Sequence, residues 1–147
     1  AVSLVEGLAE SLRLMQDEGL PNIFARHKRL ATATRAGVKA LGLELFAKVP
    51  ADSVTSVLQP ASLKPDAVYK GLMQRANITI AGGQDAVKGK IFRVAHLGYY
   101  DELDIITVLA AIEIVLRQEG YTSFTPGAAV GAASPILAEG FVAKGAK

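Results

Sequence analysis

The 147-residue chain contains no cysteine. That excludes disulfides, thiolate catalysis and sulfur-held metal centres within these residues. Histidine is scarce too: His27 and His96 lie far apart and have no metal-ligand spacing. No apolar run approaches the roughly 18 residues of a membrane span. No secretory leader pattern is present. These absences together read as a cytoplasmic protein. Neither sign of charge is in large excess, with 16 Lys and Arg against 14 Asp and Glu. Aromatics are only 6 % of the chain, and no basic stripe interleaved with aromatics is found, so nucleic acid is not an indicated partner. The richest basic cluster, ARHKR at 25–29, reads as the wet face of a helix.

Apolar residues make up 50 % of the chain, enough for one domain with a sizeable core. Leu4, Val5, Leu8, Leu12 and Met15 recur at helical spacing, and Gly19 is a plausible stop. A second helical stripe runs from Ile23 to Leu41 and ends at Gly42; His27 falls near it as a helix-face histidine. LELF at 43–46 and VTSVLQP at 54–60 read as strands. Pro65 suits the first turn of a third helix. ITIAGG at 78–83 reads as a strand entering a glycine turn, and IFRVAHL at 91–97 as the strand leaving it. A fourth, most hydrophobic helix starts around YYDELD and runs to about Arg117, with Asp101 and Asp104 as a capping box. The Ala/Gly/Pro-rich segment from Tyr121 onward is compatible with a short helix or an extended arm. The order α-α-β-β-α-β-β-α predicts an α/β unit of the two-layer α+β kind: a small, mostly antiparallel sheet covered on one face by helices.

Two features carry chemistry. AGGQDAVKGK at 81–90 is glycine-rich, but it is neither a Walker loop nor GxGxxG. It is a hairpin turn, or a loop whose small residues let a ligand approach the backbone. Arg93 stands between Phe92 and Val94, so alternation places it on the opposite sheet face from them. There it meets solvent, another domain or a substrate. A guanidinium fork matches a carboxylate through two parallel hydrogen bonds. His96 has no nucleophile or carboxylate positioned to complete a triad, and reads as a loop histidine with a structural hydrogen bond. The acidic cluster Asp101, Glu102 and Asp104 is explained by helix capping rather than by a metal.

Four stretches in order resemble the C-terminal domain of class V, fold-type I aminotransferases, which depend on pyridoxal 5'-phosphate. They are SLVEGLAESLRLMQDEGL at 3–20, ARHKRLATATRAGVKALGLELF at 25–46, ITIAGGQDAVKGKIFRVAHLG at 78–98, and the helix beginning YYDEL. The subgroup most similar is that of alanine–glyoxylate and serine–glyoxylate aminotransferases, which also includes cyanobacterial proteins labelled as a soluble hydrogenase small, or tritium exchange, subunit. The resemblance implies that Arg93 binds the substrate α-carboxylate and that Gly82 and Gly83 shape the site. It implies amino-group transfer between a small amino acid and a 2-oxo acid such as glyoxylate.

The resemblance also implies a division of the chain. Residues 1–20 form a connecting helix between domains, 21–119 the small C-terminal domain, and 120–147 a tail. None of Lys28, Lys39, Lys48, Lys64, Lys70, Lys88 or Lys90 stands in the family's cofactor-lysine context. The chain starts without methionine and inside a helical pattern. The expectation is therefore a C-terminal fragment, inactive alone and without catalytic or cofactor-binding residues of its own. Its partners are a missing N-terminal large domain and, in the parent, a second copy in a homodimer. Two other functions compete: a hydrogenase subunit, which needs cysteine-rich metal sites, and a non-catalytic interaction domain. Related lyases and desulfurases share the same broad domain, which leaves the reaction type open.

Overall fold

In the computed structural model, residues 1–141 are described. Helices α1 (Val2–Glu18) and α2 (Leu20–Ala40) are followed by strand β1 (Val54–Leu58) and helix α3 (Ala67–Arg75). Strand β2 (Ala81–Gly82), a 3-10 turn at Asp85–Val87 and strand β3 (Ile91–Ala95) come next. Helices α4 (Glu102–Gln118) and α5 (Ala128–Ala138) close the order. The sheet is antiparallel throughout, with order β1-β3-β2. Register pairs Ser56 and Ala81 with Arg93, and Val57 and Gly82 with Phe92.

Alternation separates the faces. Thr55, Val57, Phe92 and Val94 point to one side and are buried. They meet Leu30, Ala33 and Val38 of α2, Val68 and Leu72 of α3, and Ile105, Leu109 and Ile112 of α4. Arg93, Ser56 and Ala81 share the other side, where exposure is greater. The two-layer expectation holds, with helices on one face of a small antiparallel sheet.

Two strands are shorter than the sequence suggests. LELF contributes one antiparallel bridge, Leu45 to Val57, flanked by Leu58 N donating to Glu44 O and Phe46 N to Ser56 O. ITIAGG pairs only through Ala81 and Gly82. The amide of Ile78 donates instead to Leu72 O at 3.1 Å, which ties this stretch to the end of α3 and pulls 78–80 out of the ladder. The third helix begins at Ala67 rather than at Pro65. The fourth begins after its N-cap, Asp101, whose carboxylate accepts from Leu103 N and Asp104 N, while Asp104 Oδ2 accepts from Asp101 N.

The segment after Tyr121 forms α5, packed on α2 and α4 through Ala129, Ala133 and Leu137; its last residues, 142–147, lie outside the described part. Gly37 makes this approach possible, since a Cβ there would sit 2.7 Å from Leu109 Cδ1 and 3.1 Å from Ala129 O. α1 is helical as its spacing predicts, yet none of its residues is buried.

Candidate functional site

The turn and the arginine singled out in the sequence come together. Strand pairing sets Gly82 beside β3, and Arg93 Nε donates to Gly82 O at 3.0 Å. The carbonyl engages one edge of the guanidinium, and its two terminal nitrogens make no hydrogen bond to the described residues. Gly83 holds the turn itself: its amide donates to Ile91 O at 3.0 Å. The 3-10 turn packs so tightly beneath Gly83 that a Cβ there would lie 1.9 Å from Val87 O.

Arg93 borders a cleft of about 650 Å³. Its walls are the diverging segment 78–80, the end of β3 and the first turns of α4. Ile78, Ile80 and Val108 supply apolar wall; Tyr100 and Thr107 supply hydroxyls; Asp104 is engaged in its capping box. Arg13, Arg26, Arg29, Arg35 and Arg75 each hold a carboxylate. Among the described residues, half-buried Arg93 pairs with none. A guanidinium withdrawn from water without a counter-ion favours an incoming anion.

His96 faces the other way. It is fully buried on the helix-covered side, its Nδ1 lies 3.3 Å from Asp52 O, and its amide donates to Ser53 O. Among the described residues its Nε2 has no partner, nor have the buried Nε2 of His27 and Oγ1 of Thr55. Burial pushes the His96 pKa down to about 4 from 6.5; Arg35 and His27 add to the effect, and the Asp52 carbonyl and carboxylate oppose it. His96 is therefore neutral near pH 7. The sign follows from the unfolded chain binding the proton more readily. Stability from this group is full above pH 6.5, falls as the pH drops toward 4, and levels off below that. The loss is about 3 kcal/mol. In urea titrations across that window, a His96→Gln variant is expected to lose less stability than the parent; equal slopes would remove His96 as the cause.

Among the described residues no lysine lines the cleft, so these residues do not fit a cofactor held as a Schiff base. Among the described residues no cluster of His, Asp and Glu could hold a metal, and no helix is long and apolar enough to cross a membrane. The sequence missed two charged residues. Arg26, placed on a wet face by its neighbours, has a side chain only 16 % exposed. Glu113 is buried; its signal was a single carboxylate inside the apolar run of the fourth helix.

No protein-family model matches the chain. It is 46 % identical over 140 residues to the soluble hydrogenase small subunit of Synechococcus, covering 92 % of this chain and 36 % of that protein. It is 42 % identical over 142 residues to serine–glyoxylate aminotransferase of Hyphomicrobium methylovorum, covering 95 % and 35 %. The crystal structure of ureidoglycine–glyoxylate aminotransferase from Bacillus subtilis superposes with a TM-score of 0.81 at 33 % identity, over 86 % of this chain and 33 % of that one. The chain is a class V, fold-type I aminotransferase-like domain. Its sheet and helices match the small C-terminal domain of such enzymes. The aminotransferase-like domain spans about a third of the curated relatives' length.

Proposed function

We propose that this domain supplies the carboxylate-binding arginine of a pyridoxal phosphate enzyme. That enzyme transfers an amino group between a small amino acid and a 2-oxo acid such as glyoxylate. The observation carrying the reading is Arg93: half-buried, oriented by Gly82 O, at the edge of a cleft, and without a protein carboxylate among the described residues. Arg93 binds the α-carboxylate through its terminal nitrogens and so sets the direction of the α-proton. This is a positioning contribution to the barrier. Gly82 and Gly83 keep the guanidinium in place through the turn.

The cofactor and its lysine belong, in this reading, to protein outside the chain: an N-terminal large domain reached through residues 1–20, within a homodimer. The domain alone is inactive. The names of the glyoxylate aminotransferase relatives support the acceptor. The hydrogenase reading rests on the name of the Synechococcus relative; this chain offers no cysteine to a nickel–iron centre.

Steady-state kinetics on the longer protein test the assignment. Arg93→Ala is expected to raise KM for the amino acid about 100-fold or more, with Arg93→Lys recovering part of the loss, since the charge stays and the fork goes. An unchanged KM in Arg93→Ala removes the carboxylate role.

A further inference from the structure

Gly19 separates α1 from α2 at φ +81°, a conformation that favours glycine. Because α1 buries none of its residues, packing does not fix its direction. Two side chains reach across the joint: Asn22 of α2 donates its Nδ2 to Glu18 O at 2.7 Å, and a charged pair forms beside it. Glu18, the last residue of α1, grips Arg26 of α2 through two bonds, Nε to Oε1 at 2.7 Å and Nη2 to Oε2 at 2.8 Å. This pairing holds the Glu18 carboxyl below its ordinary pKa.

The third nitrogen of Arg26 is also engaged. Nη1 donates to Gly98 O at 3.0 Å and to Tyr100 O at 2.8 Å. These carbonyls belong to the loop between β3 and α4. Tyr100 lines the Arg93 cleft. Gly98 in this loop is exposed, at φ +83°, with nothing among the described residues within 4 Å of where a Cβ would sit. One helical turn further, Arg29 anchors the start of α4 through Glu102 at 2.8 Å, but does not reach α1. Arg26 alone of the two joins the last residue of α1 to the cleft wall.

We propose that Arg26 is a positioning residue that couples the direction of α1 to the wall of the Arg93 cleft. With Glu18 in place, the guanidinium plane is set by a bidentate carboxylate, and its remaining edge is aimed at the two carbonyls. Swinging α1 about Gly19 withdraws Glu18. The guanidinium then turns toward water, and the loop carrying Tyr100 loses its donors. The coupling stands on geometry alone; its effect on amino-acid binding rests on the carboxylate reading of Arg93.

Carbonyl 13C shifts of the 147-residue chain test the coupling directly. Glu18→Ala is expected to move the Gly98 and Tyr100 carbonyl resonances upfield, as for carbonyls that lose a charged donor, while those in the interior of α4 stay in place. Glu10→Ala, which breaks only an exposed ion pair on α1, is expected to leave both unchanged. Unmoved Gly98 and Tyr100 carbonyl resonances in Glu18→Ala overturn the proposal, as does an equal response in Glu10→Ala. In the longer protein, Glu18→Ala is expected to raise the amino-acid KM several-fold at constant kcat. If KM holds there but rises in Arg93→Ala, the link from loop to cleft is overturned. If neither variant moves KM, the failure lies with the Arg93 reading, and the carbonyl shifts decide the coupling.

Discussion

Glu113→Ala is expected to destabilise the chain by about 3 kcal/mol and to loosen α5 from the body of the domain. The first amides of a helix have no partner within it. At α5 the N-cap is Gly127, which has no side chain to supply one. Glu113 of α4 takes that place from the neighbouring element, with one carboxylate oxygen accepting from Gly127 N and the other from Ala129 N. The negative charge also faces the positive end of the helix. Alanine leaves the buried Ala129 amide unpaired, at about 1–3 kcal/mol, removes the acceptor of Gly127 N, and opens a void beneath α5. Glu113→Gln keeps an acceptor and loses the charge, so about half the effect is expected. Urea midpoints measure the total, and amide exchange over 128–138 locates it. A Glu113→Ala midpoint equal to the parent's would mean that α5 is held by its apolar packing alone.

The second large effect separates two adjacent glycines. Gly83→Ala is expected to cost about 3 kcal/mol, and Gly82→Ala less than about 1 kcal/mol. A Cβ on Gly83 falls 1.9 Å from Val87 O and 2.6 Å from Val87 C, both backbone atoms of the 3-10 turn, so the turn itself must move. A Cβ on Gly82 meets nothing closer than Asp66 Oδ1 at 3.5 Å and Tyr69 at 3.7 Å, which is ordinary contact. Thermal unfolding of the two variants checks the contrast. Similar losses in both would show that the turn tolerates displacement. The pair also probes the site, because Gly82 O is the acceptor that orients Arg93.

Strong local signals were readable in the sequence. Phe92 and Val94 flanking Arg93 gave its face, and Asp101 with Asp104 gave the capping box. Both depend on neighbours in the chain. What was missed depends on partners in other elements. LELF has the composition of a strand but finds only one bridging residue, Leu45. ITIAGG is drawn off its ladder by a bond to α3. α5 has too many small residues for a clear stripe, and its N-terminus is satisfied from α4. Arg26 stands in a basic run that looks solvated, and only the fold brings two carbonyls from more than 70 residues away to its guanidinium. The union of Arg93 with the glycine turn likewise needed the β2–β3 register.

The central place of β3 in the sheet has a consequence for ligand capture. A ladder on each side holds the backbone of Arg93, through Ser56 and Ala81, and Gly82 O restrains its side chain. An arginine on a free loop would surrender its conformational freedom upon meeting an anion, about 0.5–1.5 kcal/mol for one long side chain. Here most of that freedom is already gone when the chain has folded. The entropy of ordering is charged to folding rather than to binding, and the fork is preorganised before any carboxylate arrives.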